Sequence, residues 1–210
     1  MEIIAKGIGK KFGNEWIIRD FNYHFQAGKK YAIVGGNGSG KSTLLKLISG
    51  SVLSNEGKIS YWSNNQELED PSDSVFNKIA WVAPYIELVE EMTVVELFNF
   101  YTGFKQITIS LSEFLEELNF SSAKNKPVAN FSSGMKQRLQ LGLAVFSDAK
   151  FLLLDEPTSN LDEENINWYI QLLSKNMDDR VVLISSNQKH EYNFCDEQIK
   201  ISDFKKKNNS

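Results

Sequence analysis

The chain has 210 residues, 27 acidic against 23 basic side chains for a formal net charge of -4, and a single cysteine. A hydrophobic share of 41% and a charged share of 24% are ordinary for a water-soluble globular chain, and this length holds one sizeable core or two small lobes. The negative balance argues against general nucleic-acid affinity, one cysteine excludes an internal disulfide, and no uncharged apolar run reaches the roughly 18–20 residues of a membrane span. Glu2 stands where a signal peptide carries a basic flank, so a cytoplasmic protein is expected, acting on a membrane only through a partner. Cys195 lies far from every motif below and reads as a structural thiol.

In chain order, Ile3-Ile4, Trp16-Ile17-Ile18 and Phe21 to Phe25 are short apolar segments separated by Gly-Asn and Ala-Gly turns, which predicts antiparallel strands. Tyr31 to Val34 is a further apolar run. Directly after it, Gly35 to Thr43 reads Gly-Gly-Asn-Gly-Ser-Gly-Lys-Ser-Thr and fills the pattern G-x-x-x-x-G-K-[ST] with Gly35, Gly40, Lys41 and Ser42. Thr43 to Ile48 has helical spacing. Strand, glycine loop and helix together make a phosphate cradle. Gly36, Asn37, Gly38, Ser39 and Gly40 bring backbone N–H groups to a polyphosphate, and the helix adds its positive end. Lys41 would supply a full charge to the β- and γ-phosphates, and Ser42 a hydroxyl to Mg²⁺.

Gly57 to Trp62 predicts a strand, Ser63 to Ser74 an exposed polar loop, and Lys78 to Ala83 another strand. From about Glu87 to Phe146 apolar residues recur at spacings of three and four, in the sets Val94-Leu97-Phe98-Tyr101, Leu111-Phe114-Leu115-Leu118 and Leu139-Leu143-Phe146. These predict amphipathic helices. Phe151 to Leu154 and Val181 to Ile184 are apolar throughout, as strands covered on both faces are, with a helix over Glu163 to Ser174 between them. The lysines Lys205 to Lys207 read as a solvated tail, with a contact to membrane lipid as the alternative. The expected fold class is α/β of the P-loop NTPase kind: a mostly parallel sheet core, N-terminal antiparallel strands and a helical insert. Residues 1–210 are expected to form one domain, with the insert at about 87–147.

A strand ending at Asp155 would present its carboxylate at the sheet edge beside the phosphate loop. Asp155 is then a candidate for the Mg²⁺ shell, and Glu156 for orienting or deprotonating an attacking water. Ahead of it, Phe131-Ser132-Ser133-Gly134-Met135-Lys136-Gln137-Arg138 opens a helical run, and Pro157-Thr158-Ser159-Asn160-Leu161-Asp162 follows it. With these three ordered motifs the sequence resembles the ATP-binding cassette (ABC) ATPases. The first stretch matches the family signature Leu-Ser-Gly-Gly-Gln apart from Phe131, Ser133 and Met135, and the second matches the family's D-loop.

The resemblance implies the following. ATP and Mg²⁺ are the ligands. Phe12 stands where the family places an aromatic that stacks on adenine; a core phenylalanine is the alternative, and Trp16 is a second candidate for the stack. A second ABC domain, another copy or a related chain, would face this one with ATP between them. Ser132, Ser133 and Gly134 would approach the γ-phosphate on the facing P-loop, with Asp162 at the interface. A separately encoded transmembrane permease is the implied partner, received by the helical insert and the loop from Pro84 to Glu91. The alternative is a nucleotide-gated binding module with little turnover and no transport role.

Two departures bear on rate. The family's Mg²⁺-contacting glutamine falls on Pro84 or a neighbour, where no glutamine stands. The family's γ-phosphate histidine falls on Asn187, since His24 and His190 lie elsewhere. An amide donates a hydrogen bond but carries no charge, so with Glu156 intact a slow ATPase is expected.

Overall fold

Two sheets make up the fold, and the glycine loop, Asp155 and Asn187 lie at or just beyond strand ends of the parallel one. The computed structural model describes residues 1–68, 75–177 and 179–205. Strands β1 (Glu2–Phe12), β2 (Glu15–Phe25), β4 (Glu56–Ser63) and β5 (Gln66–Glu67) form an antiparallel sheet in the order β2-β1-β4-β5. Strands β3 (Lys30–Val34), β6 (Ile79–Val82), β7 (Phe151–Asp155), β8 (Val181–Ser186) and β9 (Glu197–Lys200) form the second sheet, in the order β6-β7-β8-β3-β9. Its neighbours all pair in parallel.

The unbroken apolar runs of β7 and β8 follow from burial on two faces. Alternate residues go to opposite cores. Ala32, Leu152, Leu154, Val182 and Ile184 face one. Tyr31, Ile33, Leu153, Val181 and Leu183 face the other. On the first side lie helices α2 (Val94–Thr102), α3 (Leu111–Glu117), α4 (Ser133–Val145) and α5 (Glu163–Asn176). On the second side, α1 (Lys41–Ile48) and the inner residues Ile3, Ile8, Ile18 and Phe25 of the antiparallel sheet close the core.

The helices start where capping chemistry dictates. Thr93 with Glu96 and Ser110 with Glu113 each form a reciprocal capping box, at the starts of α2 and α3. Ser132 and Asp162 cap α4 and α5 through the backbone N–H of Met135 and Asn165. Helix α1 differs: Gly40 stands at its N-cap and no side chain caps it.

The expected strands and helices appear with shifted ends, Trp16 to Ile18 and Phe21 to Phe25 lying in one strand, β2. Leu118 and Phe146 sit on C-caps rather than inside helices. The loop expected over 63–74 contains the two-residue β5, and its residues 69–74 lie outside the described residues. Most of the lysine tail, 206–210, lies outside them too. Strand β9 was not anticipated, because Glu-Gln-Ile-Lys has one buried residue and no apolar run.

Helix α4 crosses α3's end with almost no clearance. A Cβ at Gly142 would lie 2.7 Å from Leu118 Cδ1. Gly142→Val should therefore destabilise the fold by roughly 1–3 kcal/mol through overpacking, read as a lowered midpoint in urea unfolding.

Candidate functional site

The register of the parallel sheet gathers three strand ends. Asp155 pairs with Ser185, and Ser186 with Val34, so the carboxyl ends of β7, β8 and β3 share one edge. Ligands of such sheets bind at that edge. The glycine loop leaves β3 there and turns into α1. Gly40 holds φ 109°, and a Cβ on it would lie 2.6 Å from Ile17 Cγ2. A side chain is thus excluded by backbone conformation and by space together.

Lys41 is 5% exposed, and its Nζ donates to the carbonyls of Gly35 at 3.0 Å and Gly36 at 3.2 Å. Among the described residues, neutral oxygens alone hold its charge under the loop. Ser42 and Thr43 are half-buried at the start of α1. Beside the loop lies a cavity of about 240 Å³, lined by Asn37 to Thr43, Phe12, Ile17 and Glu156.

Phe12 is 54% exposed, which removes the reading of it as a core phenylalanine. Lys10 Nζ lies 5.1 Å from its ring centroid. Trp16 does not line the cavity, and its ring already carries the Arg19 guanidinium at 4.6 Å and Lys11 Nζ at 5.5 Å. Of the two aromatics, the cavity wall includes Phe12.

Asp155 is 2% exposed, and its Oδ1 has no hydrogen-bond partner among the described residues. A buried carboxylate oxygen left unpaired is costly, and a cation relieves that cost. Glu156 follows with φ 47°, in the left-handed region, while its N–H donates to the Ser185 carbonyl at 2.9 Å. Asn187 is exposed just beyond β8, and its Nδ2 donates to Asn37 Oδ1 on the glycine loop at 3.1 Å. Asn187 therefore reaches the phosphate loop, while His190 does not. His190 Nε2 lies 3.0 Å from Thr158 Oγ1 instead.

Pro84 is exposed, as is Tyr85 beside it. The Tyr85 ring packs edge-on to Trp81 and under Lys46 Nζ at 4.4 Å. Burial of its phenol, then the negative charge of Asp155, pushes the Tyr85 pKa upward. Tyr85 thus stands within electrostatic reach of the site, where sequence reasoning noticed only the missing glutamine.

Ser132 and Ser133 are exposed at the start of α4, with Gly134 half-buried, and Asp162 is exposed at the start of α5. None of the four lines the cavity. Hydrogen bonds from the backbone and side chain of Asn165 lower the Asp162 pKa. Burial pushes the Cys195 thiol up to about 12, as an inert thiol requires. Among the described residues no helix is long and apolar enough to cross a membrane.

The ABC transporter family profile matches residues 18–159. The ribose import ATP-binding protein RbsA of Bacillus licheniformis is 31% identical over 210 residues, covering 93% of this chain and 42% of that protein. The chain thus spans about two fifths of the length of such relatives. The lantibiotic transport ATP-binding protein SrtF of Streptococcus pyogenes is 29% identical over 190 residues, covering 87% of this chain and 78% of that one. A putative ABC transporter ATP-binding protein from Pyrococcus furiosus superposes with a TM-score of 0.81 at 20% identity, over 98% of this chain and 100% of its own. A bacterial ABC transporter cassette solved as a dimer gives 0.78 at 24% identity, over 95% and 94%.

The backbone at Glu156 carries strain that asparagine tolerates better. Glu156→Asn should raise stability by about 1 kcal/mol, measured as a higher melting temperature of the ligand-free chain.

Proposed function

The chain belongs to the ABC transporter ATPase family, and from that premise we propose that it hydrolyses ATP to power a separately encoded transmembrane permease. The observation that carries the reading is the single cavity joining Phe12, the glycine loop and Glu156, beside the unpaired carboxylate of Asp155. Phe12 offers an exposed aromatic ring at the cavity wall to adenine. The phosphates lie along the loop, where the uncapped start of α1 presents its N–H groups. Lys41 turns from two carbonyls to the β- and γ-phosphates, which return a full negative charge for the neutral oxygens it leaves.

The residues fit Mg²⁺. The Ser42 hydroxyl and the Asp155 carboxylate are hard oxygen donors of the kind that ion takes. When bound, the ion neutralises charge on the β- and γ-phosphates. Glu156, at the cavity wall, orients the attacking water and accepts its proton. Asn187 donates its amide N–H to a γ-phosphate oxygen after leaving Asn37. It supplies no charge there, which lowers turnover by roughly 10–1000-fold against a cationic partner.

A second cassette, another copy or a related chain, completes the site from outside. Exposed Ser132 and Ser133, with Gly134, would meet the facing γ-phosphate, and Asp162 would lie at that junction. The permease would dock on the helical subdomain, taken as about 87–147 of the single domain 1–210, and on the Pro84 to Glu91 loop. Exposed Tyr85, Val89, Phe100 and Phe104 offer apolar area for such a contact. The protein would then work at the cytoplasmic face of a membrane. Its substrate lies with the permease.

A second reading is favoured by Pro84 and Asn187. Both replace ligand groups, which suits a nucleotide-gated binding module with little turnover. Mg²⁺-dependent ATP hydrolysis separates the two. Slow turnover in the wild-type chain, abolished in Glu156→Gln and raised roughly 10-fold or more in Asn187→His, is the expected result. Tight ATP binding without turnover in any of them, with or without a membrane partner, would sink the motor reading.

A further inference from the structure

We infer that Glu191, acting through Thr158, is a positioning residue for Glu156. The inference rests on the hydrolytic reading above. Glu191 is fully buried on the 3₁₀ turn Lys189–Glu191, just beyond β8. Its Oε1 accepts the backbone N–H of Thr158 at 2.7 Å and the Thr158 hydroxyl at 2.5 Å. A hydroxyl has one proton, and here it goes to the carboxylate. His190 Nε2, 3.0 Å from the same oxygen, must then be the protonated ring nitrogen and donate to Thr158. Thr158 is thereby held at both main chain and side chain.

One residue earlier, buried Gln137 of α4 donates its Nε2 to the Pro157 carbonyl at 2.7 Å. One residue earlier still, Glu156 donates its N–H to Ser185. Three consecutive residues are tied to three separate elements: β8, α4 and the turn behind β8.

The backbone explains why so many ties converge. Glu156 sits at φ 47°, a conformation that a glutamate keeps only where its surroundings over-determine it. Cutting the tie two residues downstream frees that peptide to relax toward negative φ, and the Glu156 carboxylate swings with it. A displacement of about 1 Å in a group that orients water costs up to roughly 100-fold in rate. The phosphate loop makes none of these bonds, so nucleotide affinity should not move. Loss of kcat at constant KM, in a chain whose melting temperature lies well above the assay temperature, is the signature of a positioning role.

The test compares Thr158→Val, which keeps shape and loses the hydroxyl, with Thr158→Ser, which restores it, and Glu191→Gln, which keeps the acceptor oxygen. Steady-state ATP hydrolysis, binding of a fluorescent ATP analogue and melting temperature are measured on each full-length chain. Thr158→Val should lower kcat roughly 10- to 100-fold, with KM and analogue affinity within about 2-fold of the wild type. Thr158→Ser and Glu191→Gln should stay within about 5-fold of wild-type kcat. Wild-type kcat in Thr158→Val, with only a lower melting temperature, overturns the positioning role and leaves hydrolysis standing. Absence of turnover in the wild-type chain overturns the hydrolytic reading, and the positioning role with it.

Discussion

The register of three parallel strands fixes everything else at this site. Because Asp155 pairs with Ser185 and Ser186 pairs with Val34, the ends of β7, β8 and β3 are level. Neighbouring strands lie about 4.8 Å apart, so the acidic end of β7 and the loop after β3 flank β8 across a gap suited to a metal-bound polyphosphate. Register in turn depends on the alternation of core residues. A slip of one residue would send Leu152 and Leu154 to the wrong face. Two cores on opposite sides of the sheet therefore specify the geometry of a site that neither contains.

Electrostatics at that edge is arranged by what is withheld. Helices α2, α3, α4 and α5 each have a side chain that satisfies a terminal N–H, and α1 has none. Among the described residues, those free donors stand beside a lysine held by two carbonyls and a carboxylate oxygen without a partner, charges that a polyphosphate and a cation would complement. Buried charge is tolerated at this edge because apolar packing on both faces of the sheet holds the fold around it.

The sequence made most of this readable, for physical reasons that also explain what it hid. Phosphate cradles need glycines at fixed spacing, and strands buried on two faces need unbroken apolar runs. Gly40, Lys41, Asp155 and the elements around them were therefore visible as local patterns. Strand β9 joins an existing edge through backbone bonds to β3 and buries little beyond Ile199, so no composition signal marked it. The Glu191–Thr158 contact spans 33 residues and the Asn187–Asn37 contact 150. No local period encodes either pair. The glycine-loop pattern marked Asn37 and the family resemblance marked Asn187, but their hydrogen bond to each other is a tertiary fact. Phe12 shows the same limit: its position suggested two roles, and only its exposure in the fold separated them.

The starts of α4 and α5 lie near one another in space, and they are not equivalent. Ser132 accepts a hydrogen bond from the Met135 N–H, yet its own hydroxyl proton remains free to donate. Asp162 has its Oδ1 engaged by both donors of Asn165 and remains an anion, with its pKa lowered by those bonds. A phosphate arriving here would meet a hydroxyl donor at the serine-capped helix and a negative charge at the aspartate-capped one. Gly134, with a Cβ position only 3.0 Å from the Asn160 carbonyl, lets the two segments pack at this spacing. The pair presents a donor surface beside an acidic one. A facing cassette would thus have its phosphate steered to α4, while Asp162 would remain available to the donors around that phosphate rather than to the phosphate itself.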